Sequence, residues 1–174
     1  MDVGLLVLRF VIGALFVAHG TQKLFGWFGG YGLGGTAGFM GSLRYRNPKM
    51  AALSAGVFET GAGLFLAAGF LTPLAAAAII GVMVNAAVSA KWSAGLFGGY
   101  ELDLVYGVSA LGLAFLGAGA YSVDAVLGWT LSGVSWGIVA LGLGVVLGAA
   151  VLASRAPATA EAEPSGADEV RRAA

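Results

Sequence analysis

Five long apolar stretches decide what this chain can fold into. They cover about residues 3–26, 50–71, 73–92, 101–119 and 132–153. Each is close to the roughly 20 residues that a helix needs to cross a bilayer core of about 30 Å. The stretches are too long and too uniformly apolar for barrel strands, and backbone polar groups in lipid must be satisfied internally. The sequence therefore predicts an all-α integral membrane protein with five transmembrane helices.

The composition agrees with this class and excludes others. The chain has 174 residues, of which 59% are hydrophobic and 10% are charged, whereas soluble domains carry roughly 25% charged residues. Seven of the eighteen charged residues follow position 154, in a segment rich in Ala, Pro and Glu. We expect residues 154–174 to be a disordered tail. The net charge is zero and there is no basic face, so nucleic acid is not an expected partner.

Several kinds of redox and metal chemistry are also excluded by residue counts. The chain has no cysteine and one histidine. It therefore contains no disulfide, thiolate nucleophile or cysteine-ligated iron–sulfur cluster, and no pair of histidines to ligate haem. No ligand spacing repeats along the chain, so we predict no metal site and no covalently bound cofactor.

The connections between the apolar stretches carry their own signals. Thr72-Pro73 resembles an N-cap followed by proline at the first helical position, which predicts a tight hairpin between the second and third spans. The glycine-rich first part of loop 27–49 is expected to be flexible and to cover the nearby polar residues, and its second part, about 36–43, to form a short interfacial helix. Tyr121 to Trp129 predicts another interfacial segment. Residues 3–18 lack a preceding positive region, so we interpret them as a retained helix rather than a signal peptide.

Positive charges in the loops predict the orientation. With five spans, one side of the membrane receives five basic residues: Arg44, Arg46, Lys49, Lys91 and Arg155. The loops on the other side hold Asp2 and Asp124 and no Lys or Arg. The positive-inside rule then predicts that the N-terminus is outside and the C-terminus is cytoplasmic.

Ionisable residues inside the spans need a reason, because each costs about 2.5–3.5 kcal/mol on insertion scales. At 100° per residue, Arg9, His19 and Lys23 fall within about 80° of one another on the first helix. Glu59 lies near the midplane of the second span, at the depth of Asn85 in the third. Arg9, Lys23 and Asn85 are all possible partners for Glu59, and a protonated Glu59 without an ionic partner is the remaining alternative. Arg9–Glu59 is the candidate structural ion pair, and we expect Glu59 to line a polar cavity with His19 and Asn85.

Less specific interpretations stay open for the same residues. Lys23, Lys91 and Glu101 are also typical of residues that anchor a helix at the membrane interface. His19 could be an ordinary hydrogen-bonded residue. Gly144 and Gly148 form a GxxxG pair, a pattern that packs membrane helices closely but arises often by chance in a chain with 30 glycines.

Three segments of the chain carry a family resemblance: "LRFVIGALFVAHGTQKLFGWFGGYGLGGTAGFM" at 8–40, "FETGAGLFLAAGFLTPLAA" at 58–76 and "GGYELDLVYGVSALGLAFLGAGAYSVD" at 98–124. They resemble the DoxX family of small bacterial integral membrane proteins. The resemblance implies a four-helix transmembrane bundle over residues 1–124 in a bacterial inner membrane. Residues 125–153 then form an additional interfacial segment and a fifth transmembrane helix.

The family resemblance also implies a redox role. DoxX relatives are linked to quinone-coupled sulfur oxidation and to oxidative-stress complexes. The implied function is a membrane component of such a system that binds a small apolar ligand such as quinone between its helices, as an oxidoreductase subunit without a redox centre of its own. The alternative is a non-enzymatic scaffold, or a carrier for protons or a small solute. The implied partners are the lipid bilayer and either a redox protein or a second copy of the chain.

The candidate ligand-binding residues combine the family motifs with the polar residues of the spans. The motifs contribute His19, Gln22, Lys23, Glu59, Tyr100 and Glu101, and the spans add Asn85 and Tyr106.

Overall fold

Five long helices form the body of the protein. The computed structural model describes residues 1–157. The long helices are α1 (Asp2–Phe25), α3 (Pro48–Ala68), α4 (Thr72–Ala86), α5 (Glu101–Leu116) and α7 (Val134–Ala153). Two shorter helices, α2 (Gly32–Ser42) and α6 (Val123–Val126), lie in the connections.

The helix axis of α4 continues beyond Ala86 through a wider π-helical turn at Ala87–Lys91 and a 3₁₀ turn at Trp92–Ala94. When this extension is counted with α4, and the turn that precedes α5 is counted with α5, five helices of the described chain are long and apolar enough to span a membrane. The prediction of an all-α integral membrane protein is therefore confirmed.

The bundle has two chemically different ends. One end, which we call the basic end, is where α1, α4 and α7 finish and where α3 and α5 begin. The basic residues of the connections, from Arg44 to Arg155, lie there. The opposite end carries Asp2 and Asp124, and it is where α3 turns into α4.

Helices α1 and α3 pack closely because both present glycines seven residues apart. Gly13 and Gly20 of α1 face Gly63 and Gly56 of α3. A Cβ atom added to Gly13 would lie 2.5 Å from the carbonyl oxygen of Gly63, and one added to Gly20 would lie 2.7 Å from that of Gly56. Larger side chains at these positions would push the two helix backbones apart.

Helix α4 occupies the centre of the bundle, in contact with α3, α5 and α7. Its small residues at 75–77 and the side chain of Ile79 are almost completely buried. The GxxxG pair Gly144 and Gly148 seats α7 on this helix, since a Cβ atom on Gly148 would lie 2.9 Å from the carbonyl oxygen of Gly81. The fifth helix is thus packed into the bundle.

The turn between α3 and α4 forms where the sequence predicts it, but a distant residue caps it. The residue that precedes α4 is Leu71, in a left-handed conformation with φ 47°. The carboxylate of Asp124 accepts hydrogen bonds from the N–H groups of Leu71 (2.8 Å) and Thr72 (3.1 Å) and from the Thr72 hydroxyl (2.9 Å). An acid at a helix N-terminus satisfies free N–H groups and favours the helix dipole. The expectation that Thr72 is the cap is wrong for this reason.

The connection between α1 and α3 is more helical than the sequence predicts. The short helix expected at about 36–43 begins at Gly32 and ends at Ser42, so it extends into the part expected to be flexible. Thr36 and Met40 of this helix are buried, and α2 packs on α3. This packing outweighs the low helix propensity of its glycines.

The start of the C-terminal tail also differs from the prediction. The N–H group of Arg46 donates to the carbonyl of Ser154 (3.2 Å), and that of Ala156 donates to the carbonyl of Arg44 (2.8 Å). The prediction that disorder begins at residue 154 is therefore wrong for Ser154 to Ala156. Backbone hydrogen bonds hold these residues in place, and the composition of the segment gives no sign of this pairing. The predicted disorder of residues 158–174 lies outside the described residues.

Candidate functional site

An ion pair joins α1 and α3 in the half of the bundle near the basic end. The Nζ atom of Lys23 lies 2.5 Å from Oε2 of Glu59. Glu59 is only 4% exposed, whereas the Lys23 side chain is 28% exposed. Of the three partners that the sequence left open for Glu59, the structure selects Lys23. The charge of the buried carboxylate is thereby compensated by a cation that still reaches the surface.

Arg9 lies too far from Glu59 to pair with it. Its Nη1 atom donates to the carbonyl of Ala67 (2.5 Å) and its Nη2 atom to the carbonyl of Tyr121. Ala67 comes eight residues after Glu59, which is about 12 Å along α3. Carbonyl groups at a helix C-terminus lack partners within the helix and carry the negative end of its dipole. The predicted Arg9–Glu59 ion pair is therefore wrong, and Arg9 instead holds the end of α3 against the segment before α6.

His19 and Gln22 stabilise the end of α1. Nδ1 of His19 is hydrogen-bonded to Oε1 of Gln22 (3.1 Å), and Nε2 of Gln22 donates to the carbonyl of Phe28 (3.1 Å). His19 is exposed, because it lies at the margin of the buried stripe of α1 that contains Ile12 and Phe16. The expectation that His19, Glu59 and Asn85 line one cavity is wrong, since these residues have separate partners.

Asn85 belongs to a cavity between α3, α4 and α7, which we call the α3–α7 cavity. Its Oδ1 atom accepts a hydrogen bond from the hydroxyl of Tyr45 (2.9 Å). Its Nδ2 atom is buried and has no partner among residues 1–157. The cavity has a volume of about 90 Å³. Besides Asn85 and Tyr45, its walls include Ser54, Phe58, Ala78 and Leu147.

A second ion pair joins the end of α4 to the start of α5. Nζ of Lys91 lies 2.8 Å from Oδ1 of Asp103. Asp103 is 4% exposed, whereas the Lys91 side chain is 39% exposed. Lys91 ends the π-helical turn of α4, a type of turn often found at functional sites. The second oxygen of Asp103, Oδ2, is buried and has no partner in the described chain.

Asp103 lies in the wall of a larger cavity, the α4–α5 cavity, of about 320 Å³. Trp92 and Tyr100 also line it, and their rings stack with centroids 5.2 Å apart and planes 13° apart. The remaining walls are mostly apolar and include Ile80, Val84, Leu104, Leu111 and Leu141. The cavity thus combines an apolar interior, an aromatic pair and one carboxylate oxygen without a donor in the part of the chain that the structure describes.

The last two candidate residues lie outside both cavities. Tyr106 packs edge-on against Phe16 of α1, with ring centroids 5.5 Å apart, and so joins α1 to α5. Glu101 is in the first turn of α5, where an acid favours the helix dipole. The structure thus gives Tyr106 a packing role and places Glu101 in the first turn of a helix.

Tyr45, Trp92 and Asp103 line the cavities but were not among the ligand-binding residues predicted from the sequence. A signal existed for Asp103, because it is an acid two residues after Glu101 inside an apolar span. No local signal links Tyr45 to Asn85, 40 residues away. In residues 1–157 no group of three or more His, Cys, Asp or Glu side chains could hold a metal ion.

Comparison with known families agrees with these features. The sequence model of the DoxX family matches residues 4–92, about half of the chain. The chain belongs to the DoxX family. A second family, described as TQO small subunit DoxD, matches residues 49–150. Neither the curated proteins nor the solved structures include a significant match.

The two family matches overlap at residues 49–92 but differ in which polar site of this DoxX protein each covers in full. The DoxX match covers α1 to α4 and therefore includes the Lys23–Glu59 pair. The DoxD match covers α3 to α7 and includes the whole lining of the α4–α5 cavity, from Ile80 to Leu141. The cavity lined by Asp103 thus lies in the part of the chain that the DoxD family model matches.

Proposed function

We propose that this DoxX-family protein is a membrane subunit of a quinone-linked oxidoreductase and that it holds a quinone headgroup in the α4–α5 cavity. The description of DoxD as the small subunit of a thiosulfate:quinol oxidoreductase supports the general role. The observation that carries the proposal is the buried Oδ2 atom of Asp103, which lies in the wall of an apolar cavity and has no donor among residues 1–157.

The residues present fit such a ligand. A volume of about 320 Å³ is within the usual range of ligand pockets, roughly 300–1,000 Å³. The Oδ2 atom needs a hydrogen-bond donor, and a quinol hydroxyl is one. The aliphatic walls, including Leu111 and Leu141, suit the apolar tail of the same molecule.

Each residue of the cavity then has a defined part. A bound quinone supplies a carrier of two electrons and two protons. The Asp103 carboxylate would accept a hydrogen bond from one quinol hydroxyl through Oδ2, while Lys91 holds the carboxylate through Oδ1. The stacked rings of Trp92 and Tyr100 would provide an aromatic wall beside the headgroup. In this proposal the electrons are exchanged with a partner subunit, in keeping with the description of DoxD as a small subunit.

No observation favours the alternative of a proton or solute carrier centred on Glu59. Its carboxylate is bonded to Lys23, and Glu59 lines neither of the two cavities. The other alternative, a scaffold without a ligand, would be supported if the binding experiment described next shows no quinol binding.

Quinol titration of the purified protein tests the proposal. Trp92 lines the cavity, so tryptophan fluorescence should change on addition of a short-tailed quinol. We expect Asp103→Asn to weaken binding by about tenfold or more, because the amide presents a donor where the quinol needs an acceptor. The matched control is Glu101→Gln, which removes a charge two residues earlier on α5 and should leave binding within twofold.

Two results would overturn this assignment. If the wild-type protein binds no quinol, the scaffold role gains support. If Asp103→Asn and Glu101→Gln weaken binding equally, the α4–α5 cavity is not the binding place.

We also propose that the chain lies in the bacterial inner membrane with its N-terminus outside. The five basic residues of the connections, Arg44 to Arg155, share one end of the bundle, and such ends face the cytoplasm. A reporter that is active only in the cytoplasm should be active when fused after Ala174. A reporter that is active only in the periplasm should be silent there, and activity of that fusion would reverse the orientation.

A further inference from the structure

The α3–α7 cavity is a second place where a buried polar group lacks a partner. It shares no lining residue with the α4–α5 cavity and opens on a different face of α4. Ala78, Gly81, Val82 and Asn85 form its α4 wall, and α7 contributes Leu147 and Val151. The proposed quinone chemistry makes no use of this cavity.

Three side chains form a column from the basic end into this cavity. The guanidinium carbon of Arg155 lies 6.0 Å from the ring centroid of Tyr45. The hydroxyl of Tyr45 in turn donates to Asn85. A cation near the end of the bundle and an amide deeper in the span are therefore separated by the length of one tyrosine side chain.

Both ends of this column keep hydrogen-bonding capacity. Arg155 uses Nε to bond the carbonyl of Leu43 (2.8 Å), and its two terminal nitrogens make no hydrogen bond within the described range 1–157. Nδ2 of Asn85 is buried without an acceptor in the same range. The site therefore presents a cation and, deeper, a neutral donor.

The cavity walls that lie deeper in the span than Asn85 limit which kind of ligand can offer an acceptor to its Nδ2 atom. Ala55, Phe58, Ala78 and Leu147 make them apolar. A ligand that reaches Asn85 must carry an apolar chain, an acceptor above it and an anion above that. These three groups occur in this order in a phospholipid, as acyl chain, ester carbonyl and phosphate.

We propose that the α3–α7 cavity binds an anionic phospholipid of the surrounding bilayer. The phosphate lies on the terminal nitrogens of Arg155, in the charge-assisted geometry that arginine forms with phosphate. An ester carbonyl accepts from Nδ2 of Asn85, and an acyl chain follows the groove between α3 and α7. Basic pockets between transmembrane helices bind lipid headgroups in this manner.

The proposal gives the fifth helix a role. Leu147 and Val151 of α7 form one wall, and Arg155 follows the last turn of the same helix. A bundle without α7 would lack both the wall and the cation. The lipid would thus join α3, α4 and α7.

Native mass spectrometry of the full-length protein in detergent tests the proposal with three probes: phosphatidylglycerol, phosphatidylcholine of the same chain length, and inorganic phosphate. We expect phosphatidylglycerol adducts to exceed phosphatidylcholine adducts about tenfold. Arg155→Gln should bring the two within twofold, and Asn85→Leu should reduce both. Millimolar inorganic phosphate should not displace the lipid, because it lacks the acyl chain.

The matched control is Lys49→Gln. Lys49 is an exposed cation at the same end, but at 100° per residue it lies about 160° around α3 from Ala51 in the cavity wall. Its replacement should leave the lipid preference unchanged. Equal loss in Lys49→Gln and Arg155→Gln would reduce the effect to general surface charge and overturn the proposal, as would equal binding of the two lipids by the wild type.

A cavity-filling variant keeps the test decisive if Asn85→Leu fails to fold. Ala55→Leu narrows the cavity without leaving any polar group unpaired, and it should reduce phosphatidylglycerol adducts at least fivefold. Unchanged adducts in this variant would place the lipid elsewhere. Quinol titration of Ala55→Leu should match the wild type, so the two proposals fail or succeed separately.

Discussion

Asp103 and Asp124 are two buried aspartates with almost equal exposure, 4% and 3%. They differ in how many hydrogen bonds their carboxylates accept. Asp124 accepts three hydrogen bonds, one from Leu71 just before α4 and two from Thr72 at its start. Asp103 accepts one, from Lys91, and its other oxygen has no donor within the described chain. A buried acceptor without a donor lowers stability. Burial alone therefore does not distinguish the two carboxylates, whereas their hydrogen bonding does.

The different partners of the two aspartates explain what each can do. Asp124 is bonded to the turn between α3 and α4, which is fixed by the fold. Asp103 is bonded to a lysine whose side chain is 39% exposed and which can change its partner at little cost. The first arrangement holds a corner together, and the second leaves a carboxylate available to a ligand.

The largest expected effect separates these two residues directly. Asp124→Ala should lower the free energy of unfolding by about 4 kcal/mol, because it leaves buried donors of Leu71 and Thr72 unsatisfied at roughly 1–3 kcal/mol each. Asp103→Ala should cost less, about 1 kcal/mol, because it also removes the Oδ2 acceptor that has no donor in the described chain, and Lys91 can turn to water. Unfolding of both variants in mixed detergent measures the difference, and similar losses would remove the distinction between them.

Glu59 is the intermediate case and should give the next largest effect. Its carboxylate is buried and paired, but Lys23 is partly exposed. Breaking a fully buried pair costs about 3–5 kcal/mol, and the access of Lys23 to water should reduce this to about 2 kcal/mol for Glu59→Gln. A double-mutant cycle with Lys23→Met isolates the coupling between the two side chains. A coupling near zero would show that the pair does not hold α1 on α3.

The smallest expected effect concerns one of the three donors to Asp124. Thr72→Val removes the hydroxyl but keeps the shape of the side chain and both backbone bonds. The expected loss is about 1 kcal/mol, the usual net value of one hydrogen bond. Thr130→Val, at an exposed threonine near the same end, serves as the control and should change stability by less than about 0.5 kcal/mol. A loss as large as that of Asp124→Ala would mean that the hydroxyl alone maintains the corner.

The spans were predictable because each depends on local information. Length and apolarity define them, and the burial of Arg9 and Glu59 follows from the cost of charge in lipid. The hairpin at Thr72-Pro73 was predictable in the same way. Its cap was not, because Asp124 lies 52 residues away and no local pattern identifies the partner.

The site was less predictable than the fold because, like the cap of the hairpin, it depends on contacts between residues far apart in the chain. The depth of a residue in the membrane follows from counting along a helix, but its partner depends on how the helices rotate against one another. Glu59, Asn85 and His19 were expected to share a cavity from their depth and from the family motifs, yet they belong to separate clusters. Asp103 was not among the candidates, although the rotation of α5 aims it at Lys91.

The contacts of Arg9 impose an order on how the chain can assemble. Arg9 is synthesised before both of its carbonyl partners, which come 58 and 112 residues later in the chain. At about 5–20 residues per second, the second partner follows on the order of ten seconds after Arg9. For that time α1 holds an arginine without its final partners. We therefore expect α1 to remain loosely attached, or to be sheltered by the insertion machinery, until the chain has passed Tyr121.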